Sequence, residues 1–576
     1  MHEPMAKHCM QQADQIFARG KRQVVTRPLM SHRKPWTKVV TGDDWDAWVP
    51  PHTGASANNL LFSRLLRVIE SNDSEIIGAA RALSGHGALL AHKDGVTVAM
   101  TDVVASVPLY IAHHDDGISI GADGDEVATA AGLQGVDGRA ALQVAIAGYT
   151  VGRRTLIQGL QSLKPGEIVI VDGNGCRHIR YARYLGEPDE AIDPADPQVM
   201  ARHNEVLLGL LEQLVSDANG RTIMIPLSGG FDSRAIASGL KLLGYGNVVC
   251  FSYGLPGNHE AIGAQRVAAR LGYPWLSIDY SPKKLQAFFA SETARRFFDF
   301  ADRPDAMPFL QDVPAIERLR QNRAIPEDAI IVNGQSGDYI AGNHIPIALA
   351  GEQAPDRISK DGLFRSIQAK HFDLWKFLET PAAMEAIRAD IFADLDDCVC
   401  EPMSRNQAAI AYELSEFENR QSKYVVAGQR CYEMFGYDWR MPLWEPALVE
   451  YWRRMPLTAK LNRRLFQTAL EKANWCRVWG PDWRFPRTVV PAWVRMLRAG
   501  VRSLIAPAGK DAWHGAEKHL FEWRSDPIQN YSIVPYHRVL FDRRGFRNAL
   551  AWHAEQYLAR KGISINALAD FGKRVH

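Results

Sequence analysis

Short runs of alternating apolar and polar residues fill the chain between residues 60 and 181, a pattern typical of half-buried β-strands. Turn residues separate neighbouring runs at Lys93-Asp94-Gly95, at His114 to Gly117 and at Asp172 to Gly175. Each pair of runs with its turn predicts a β-hairpin. We therefore expect an antiparallel, β-rich first domain, preceded at residues 1–35 by a polar and basic tail or a first strand.

The hydrophobic pattern changes after residues 186–198, an acidic and proline-bearing stretch that we interpret as a linker. Apolar residues at helical spacing predict an amphipathic helix over residues 203–220, and a buried strand follows at Thr222–Leu227. A second helix leads to the next buried strand at residues 248–253. Such alternation predicts a parallel sheet, and beyond about residue 355 the pattern is mostly helical.

These patterns predict two domains and a fold class that combines α/β with α+β. We expect an antiparallel domain over residues 1–190 and a parallel-sheet domain with a helical extension over residues 200–576. The length of 576 residues suits two or three domains, and the 46% of apolar residues suffices for packed cores.

The balance of charges and the cysteine content make some classes of protein improbable. The near balance of 67 basic and 65 acidic side chains argues against a general nucleic-acid-binding protein. Seven scattered cysteines indicate a reduced, cytoplasmic protein, and the Cys398-x-Cys400 pair has no second pair to complete a zinc site. No apolar leader or membrane-length apolar run is present, so we expect a soluble protein. The stretch His113-His114-Asp115-Asp116 carries metal-binding side chains, but its position at a hairpin tip favours a turn.

A glycine loop, Ser228-Gly229-Gly230-Phe231-Asp232-Ser233, follows the strand at Thr222–Leu227. Open α/β sheets bind ligands at the carboxyl ends of their strands, and backbone amides at a helix N-terminus bind anions. The loop lacks the lysine of a Walker A motif. Its acid, Asp232, would repel a phosphate unless a cation lay between them, so the loop predicts Mg²⁺ together with a polyphosphate. The alternative is a structural turn capped by serine or aspartate.

The loop resembles the pyrophosphate-binding loop of the N-type ATP pyrophosphatases, which include asparagine synthetase, GMP synthetase and argininosuccinate synthetase. Members of this superfamily adenylate a substrate and release pyrophosphate from ATP. Residues 257–272, 332–344 and 439–456 are similar to segments of the asparagine synthetase branch. Residues 100–112 and 147–172 resemble parts of the family's glutaminase domain, which implies an N-terminal antiparallel αββα domain of the Ntn-hydrolase type.

The resemblance implies roles for residues in both parts of the synthetase site. Magnesium is expected on Asp232 and Asp338, and Gln335 is expected to act in catalysis with these two acids. The residues expected to contact ATP are Ser228, Gly229, Gly230, Asp232, Ser233, Ser252, Gly334 and Gln335. The residues expected to contact the substrate are Arg234, Glu260, Arg430 and Arg440.

Departures from the family pattern change the expected chemistry. Family glutaminases need a cysteine directly after the initiator methionine, whereas this chain begins Met-His-Glu-Pro and has its first cysteine at Cys9, so the first domain resembles a non-catalytic relative. Gln335 stands where the family has a glutamate, and an amide cannot act as a base. Arg234 replaces a small hydroxyl residue and offers a cation for phosphate or for an acidic substrate. The family's late pyrophosphate-binding lysine has no clear match, and Arg484 and Arg487 are candidates to replace it.

These features favour an ATP-dependent amide-forming ligase, which adenylates a carboxylate and transfers ammonia or an amine to it. Alternatives within the family are asparagine synthesis proper and a cyclase of the β-lactam or lasso-peptide kind; outside the enzymes, the alternative is a non-catalytic scaffold. Residues 333–346 resemble a variant found in relatives associated with bacterial surface polysaccharides. A sugar uronic acid is therefore the favoured carboxylate.

Further side chains are candidates for binding the acceptor or a partner. Between residues 420 and 440 they are Arg420, Arg430, Arg440, Tyr424, Tyr432, Phe435, Tyr437 and Trp439. A helix at residues 493–505 has Trp493, Leu497, Val501 and Leu504 on one face and arginines on another, which suits peripheral contact with an anionic membrane; the alternative is packing on the core. We expect ammonia from solution or from a partner glutaminase and no nucleic-acid partner, and we leave a homodimer open.

Overall fold

A computed structural model of the chain describes residues 24–25, 28–31, 36–39, 41, 44–51, 59–83 and 85–571. The predictions that concern the first 23 residues, including the role of Cys9, lie outside the described residues. Among the helices of the described ranges, none is both long enough and apolar enough to cross a lipid bilayer.

Two β-sheets build the N-terminal part. Their strands are β1 (Val24–Val25), β2 (Thr37–Val39), β3 (Asp46–Val49), β4 (Ala88–Lys93), β5 (Val96–Thr101), β6 (Tyr110–His114), β7 (Gly117–Gly121), β8 (Leu160–Ser162), β9 (Glu167–Asp172) and β10 (Gly175–Arg180). The larger sheet has the order β10-β9-β5-β4-β3-β2 and is antiparallel throughout. The smaller sheet has the order β1-β7-β6-β8, in which only the short β1 runs parallel to its neighbour.

Side chains that alternate along these strands separate three layers of hydrophobic core. The helices around the two sheets are α1 (Asn59–Arg67), α2 (Asp73–Arg81), α3 (Gly124–Ala130) and α4 (Gly138–Ala147). On β4, Leu89 and Ala91 pack with α1 and α2, whereas Leu90 packs between the two sheets. On the far side, Tyr110 of β6 packs with Val127 of α3. The order of layers is helix, sheet, sheet, helix, which confirms the αββα architecture predicted for this part.

A parallel sheet forms the centre of the second part. Its strands are β11 (Ile223–Pro226), β12 (Val248–Gly254), β13 (Trp275–Asp279), β14 (Ile330–Val332) and β17 (Asp438–Arg440), and a separate pair consists of β15 (Arg357–Ile358) and β16 (Met403–Ser404). The order is β13-β12-β11-β14-β17, and each neighbouring pair is parallel, as the sequence predicts. The chain first adds strands on one side of β11 and then on the other. The switch point between β11 and β14 is the place where such sheets leave a crevice for ligands.

Helices surround this sheet and fill the C-terminal third of the chain. They are α5 (Pro197–Ala218), α6 (Phe231–Leu242), α7 (His259–Leu271), α8 (Pro282–Phe289), α9 (Glu292–Phe300), α10 (Val313–Gln321), α11 (Gly337–Ile340), α12 (Ile347–Ala350), α13 (Lys360–His371), α14 (Pro381–Leu395), α15 (Arg405–Glu416), α16 (Arg430–Met434), α17 (Pro446–Arg453), α18 (Leu457–Lys460), α19 (Arg464–Ala473), α20 (Ala492–Ile505), α21 (Lys510–Glu517), α22 (Trp523–Ser525), α23 (Tyr536–Phe541) and α24 (Ala549–Arg560). A π-helical segment at Phe417–Val425 extends α15 towards the sheet.

The three predicted hairpins are confirmed. β4 and β5 are joined by a two-residue turn in which Asp94 has φ 47° and Gly95 has φ 83°, a conformation that matches the twist of the strands. β6 and β7 turn at residues 115–116, and β9 and β10 turn at residues 173–174. Of the stretch from His113 to Asp116, the two aspartates form the predicted turn and the two histidines end β6.

The segment that we interpreted as a linker is shorter than predicted. Helix α5 already begins at Pro197, because the Asp196 side chain accepts the N–H of Gln198 at 2.8 Å and caps the helix. Upstream, the N–H groups of Glu187 and Asp189 donate to backbone carbonyls at the end of α17, at 3.0 and 2.9 Å. The segment thus lies against the helical part of the second half.

Helix α20 is the basic amphipathic helix that the sequence predicts, but its apolar residues divide into two groups. Val494 and Val501 pack against Trp513 of α21. Leu497 and Leu504 are 55% and 81% exposed. Part of the apolar face is thus covered by the protein itself, and contact of the remainder with a membrane stays a prediction.

Candidate functional site

The glycine loop leaves β11 at the switch point of the parallel sheet and faces the loop that follows β14. Two glycines of the second loop allow the loops to touch. A Cβ atom on Gly334 would lie 2.8 Å from the backbone nitrogen of Ser233, and one on Gly337 would lie 2.6 Å from Oδ1 of Asp232. Only glycine fits at these two positions without displacing the loops. The acidic loop and the segment that carries Asp338 are therefore held in direct contact.

Hydrogen bonds inside the glycine loop fix its shape. The Ser228 N–H donates to Oγ of Ser233 at 3.1 Å, and the Gly230 N–H donates to Oγ of Ser228 at 3.1 Å. The Gly229 N–H donates to the carboxylate of Glu260 at 2.9 Å. Glu260, which the resemblance assigns to the substrate, therefore supports the loop in this structure.

Arg234 lies beneath the loop and is buried. Its guanidinium donates to the backbone carbonyls of Gly229 and Val478. Three aromatic rings surround the same group, those of Phe231, Trp479 and Phe485. Burial lowers the pKa of Arg234 to about 10. In the structure, this guanidinium therefore supports the loop through protein atoms.

Asp232 contacts a cation that was not among the residues predicted from the sequence. Both carboxylate oxygens of Asp232 contact the guanidinium of Arg463, and the Nη1–Oδ2 distance is 3.3 Å. Within the described residues, Nε of Arg463 is buried without a hydrogen-bond partner. Of the proposed substitutes, Arg484 is exposed and pairs with Glu471, and Arg487 is exposed. The only sequence signal for Arg463 was its place in a basic cluster between α18 and α19.

Asp338 begins a chain of charged groups. Its Oδ2 lies 3.0 Å from Nε2 of His344, and Nδ1 of His344 lies 2.6 Å from Oε1 of Glu416. Glu416 also receives a hydrogen bond from Arg420 at 3.1 Å and lies 3.1 Å from Nε2 of His371. Burial alone would lower the pKa of His344, but the charge of Glu416 and hydrogen bonds to both acids outweigh it and raise this pKa to about 9. His344 is therefore a cation at neutral pH.

The amide of Gln335 is part of a network of uncharged groups. Its Oε1 accepts a hydrogen bond from Nε2 of Gln429 at 2.5 Å, and Oε1 of Gln429 accepts one from Asn333 at 3.0 Å. The side chain also packs on the backbone of Gly428, where a Cβ would lie 2.7 Å from Nε2 of Gln335. These contacts orient an amide at the position where the family has a glutamate.

A cavity of about 760 Å³ joins these elements. One wall comes from the two loops and includes Asp232, Gly334, Gln335 and Asp338; another comes from the π-helical segment and includes Arg420, Gln421 and Tyr424. A third wall comes from the C-terminal part and includes Glu522, Ser525, Asp526, Asn530, Tyr531 and Asn548. None of the residues in the C-terminal wall is among the site residues that the sequence predicts.

Several predicted contact residues do not line the cavity. Arg430 is buried, pairs with Glu433 at 2.7 Å and donates to the carbonyl of Ser106 in the N-terminal part. Arg440 is half-buried at the end of β17 and donates to its neighbouring backbone carbonyl. The hydroxyl of Ser252 donates to a backbone carbonyl at 2.7 Å and accepts from an indole N–H at 3.0 Å. Of the aromatic candidates, Tyr424 lines the cavity, whereas Tyr432, Tyr437 and Trp439 are buried in the core and Phe435 contacts Arg320.

Asp232 and Asp338 have the donor chemistry that Mg²⁺ requires. Both offer carboxylate oxygens at the edge of the cavity, and the negative charge of Asp338 contributes to the raised pKa of Asp232, whose main cause is burial. The two carboxylates carry negative charge into the same region of the site. Arg463 and His344 balance part of this charge, and a metal cation would balance more of it. The residues present thus fit a magnesium ion.

Comparison with known proteins gives a family match in this part of the chain. A family model for asparagine synthase matches residues 212–474. No curated protein matched the chain in sequence. Among solved structures, glutamine phosphoribosylpyrophosphate amidotransferase from B. subtilis, complexed with ADP and GMP, aligns at 12% identity over 52% of this chain and 64% of that chain, with a TM-score of 0.17. A structure of the allosteric regulatory enzyme of purine biosynthesis aligns at 13% identity over 55% and 59%, also with a TM-score of 0.17.

The chain therefore spans less than two thirds of the length of either of these two relatives. The family match, in contrast, covers the whole parallel sheet and both loops that meet at its switch point. The parallel-sheet part of this chain is thus similar to asparagine synthase over residues 212–474.

Proposed function

We propose that the chain is an ATP-dependent amide-forming ligase that produces AMP and pyrophosphate. The observation that carries the proposal is the contact between the acidic glycine loop and the Asp338 segment, at the switch point of a parallel sheet and beside one large cavity. The match of residues 212–474 to asparagine synthase supports the same reaction class. Asparagine synthases are ATP-dependent carbon–nitrogen ligases.

Each part of the site has a task in this reaction. The loop of residues 228–233 and Arg463 bind the phosphates that leave as pyrophosphate, because backbone amides at the start of α6 and a buried guanidinium both favour anions. Asp232 and Asp338 would hold Mg²⁺, which supplies positive charge to the phosphates when bound. His344 keeps the Asp338 carboxylate oriented and ionised.

The reaction itself has two steps. A carboxylate oxygen of the substrate bonds to the α-phosphorus while the bond from that phosphorus to the bridging oxygen of pyrophosphate breaks. The nitrogen of ammonia or an amine then bonds to the acyl carbon, AMP departs with the carboxylate oxygen, and the nitrogen loses a proton to solvent. Gln335 cannot accept this proton, so its amide orients the nucleophile by hydrogen bonding.

We further propose that the carboxylate is larger than aspartate and belongs to a sugar uronic acid. The volume of about 760 Å³ and the polar side chains of the C-terminal wall support a substrate with many hydroxyl groups. The rings of Phe309 and Tyr424, whose centroids lie 5.3 Å apart, offer apolar surface for a sugar face. Arg420 provides a cation for an anionic group of the substrate.

The test uses the purified full chain with Mg-ATP, ammonium and a panel of carboxylates. The panel contains aspartate, free uronic acids and nucleotide-linked uronic acids, and mass spectrometry detects the decrease of about 1 Da that accompanies conversion of an acid to an amide. Glutamine replaces ammonium in a parallel series, with and without an added glutaminase, to identify the nitrogen source. Turnover of aspartate with no reaction on any uronate would support asparagine synthesis instead. No release of pyrophosphate with any member of the panel would contradict both reactions and would favour a cyclase, whose substrate carries its own amine.

A pair of variants links the result to the cavity. Tyr424→Leu removes a ring from the cavity wall and should raise the KM for the uronate at least tenfold. Phe435→Leu removes a half-buried ring outside the cavity and should leave this KM unchanged. Equal effects of the two substitutions on KM would argue against sugar binding at Tyr424.

A further inference from the structure

Three potential metal ligands meet at one end of the N-terminal sandwich, far from the glycine loop in sequence. His113 lies near the end of β6 in the smaller sheet, and Cys176 and His178 lie on β10 in the larger sheet. A nitrogen of each histidine and Sγ of the cysteine lie within 4.8 Å of one another. The cluster therefore bridges the two sheets.

The spacing of these atoms agrees with tetrahedral coordination. Ligands that are about 2.0–2.3 Å from a tetrahedral zinc ion lie roughly 3.3–3.8 Å from each other. Sγ of Cys176 and Nε2 of His178 are 3.4 Å apart. They are residues i and i+2 of one strand, so both side chains stand on the same face of the sheet. A small movement of the exposed His113 side chain brings the third ligand to the same range.

A buried carboxylate fixes the orientation of one ligand. Nδ1 of His178 lies 3.0 Å from Oε1 of Glu167, which leaves Nε2 facing the cluster. Glu167 is fully buried and is itself held by Arg153 at 2.8 Å and by the backbone N–H of Lys164 at 2.7 Å. A carboxylate that holds the second ring nitrogen is the usual support of a metal-binding histidine. Its presence distinguishes His178 from an ordinary surface histidine.

We propose that His113, Cys176 and His178 form a binding site for a divalent transition-metal ion, with zinc as the ion that two imidazoles and one thiolate suit best. The fourth position faces solvent, since His113 and His178 are both exposed, and a water molecule completes the coordination. When bound, the ion would connect β6 to β10 and so join the two sheets at this end. This proposal is independent of the proposed amide-forming reaction.

The test uses cobalt(II) as a spectroscopic probe on the reduced full chain, because cobalt replaces zinc and gives a thiolate charge-transfer absorption. We expect one cobalt ion per chain with this absorption, its displacement by zinc, and a zinc-dependent rise in Tm. Cys176→Ser should abolish the charge-transfer absorption, and His178→Gln should weaken cobalt binding at least tenfold. Circular dichroism verifies that the variants fold.

Matched controls exclude other cysteines and histidines. Cys9→Ser and Cys400→Ser remove cysteines elsewhere in the chain, and His114→Gln removes the neighbour of His113; all three should bind cobalt as the unmodified protein does. Absence of the charge-transfer absorption in the unmodified chain would overturn the proposal. So would its persistence in Cys176→Ser, or its loss in Cys9→Ser.

Discussion

Replacing Arg463 by methionine removes the guanidinium that contacts Asp232 but keeps an unbranched stem. In the structure, the Arg463 side chain is 7% exposed and the Asp232 side chain 21% exposed. The guanidinium also lies over the ring of Phe466, with Cζ 4.5 Å from its centroid. A methionine retains most of this packing, so the substitution tests the positive charge.

The size of the effect follows from these exposures. Breaking a fully buried ion pair costs about 3–5 kcal/mol, because the remaining charge loses its partner in a dry environment. Asp232 borders the cavity and keeps some access to water, so we expect the smaller loss of about 1–3 kcal/mol in the free energy of unfolding. The loss of a preorganised cation beside the phosphates should reduce kcat about 10²–10³-fold.

Two measurements separate these effects. Urea unfolding gives the loss of stability, and pyrophosphate release at saturating Mg-ATP gives kcat. Arg484→Met is the matched control, since Arg484 is exposed, pairs with Glu471 at 3.0 Å and lies outside the cavity. An Arg463→Met enzyme with kcat within threefold of the unmodified protein would refute the assignment of Arg463 to the phosphates. Equal losses in the Arg484→Met control would refute it as well.

Two further substitutions test the packing around the site. Lys460→Met should lower the free energy of unfolding by about 3–5 kcal/mol, because Nζ lies 2.8 Å from the carboxylate of Glu413 and both side chains are 4% exposed. Burial raises the pKa of Glu413 and the charge of Lys460 lowers it, so removal of Lys460 raises this pKa further. An acid with a raised folded-state pKa destabilises the fold as pH rises, so the loss in urea unfolding should be larger at pH 8 than at pH 5, and a loss that shrinks as pH rises would contradict this. Gly337→Ala would place a Cβ 2.6 Å from Oδ1 of Asp232 and should reduce AMP formation at least tenfold, whereas Gly500→Ala, where the Cβ meets open space, should leave it unchanged. Near-normal AMP formation by Gly337→Ala would show that the two loops need not touch.

Local patterns predicted the framework of the site because they depend on neighbouring residues. The hairpin turns follow from glycine, aspartate and asparagine between the strands, and the glycine loop follows from an apolar strand directly before an amphipathic helix. The parallel sheet follows from the alternation of such units.

The partners of charged side chains could not be predicted in this way. Arg430 and Arg440 belong to the aromatic and basic segment that we assigned to the acceptor, yet their guanidinium groups bind protein atoms. Arg463, in contrast, reaches Asp232 across 231 positions of the sequence. The residues that neighbour an arginine in sequence do not show whether its partner is a carbonyl, a carboxylate or a ligand. Only the folded structure distinguishes these cases.

The same limit applies to the cavity and to the proposed metal site. The C-terminal wall comes from residues 522–550, beyond the segment that matches asparagine synthase. His113 meets Cys176 and His178 only because β6 and β10 belong to two sheets that pack face to face. Residues that lie so far apart in the sequence have no regular spacing, so one sequence does not reveal that they are in contact.

Phosphorus NMR of a turnover mixture tests the central claim most directly. The mixture contains the full chain, Mg-ATP, ammonium and the carboxylate panel, and a second sample contains the Asp338→Asn variant. We predict AMP and pyrophosphate in equal amounts from the unmodified protein, and neither from the variant although circular dichroism shows it folded, because Asp338 supplies carboxylate oxygens for Mg²⁺ beside the loop. ADP and orthophosphate as the primary products, or undiminished AMP formation by Asp338→Asn, would contradict the account.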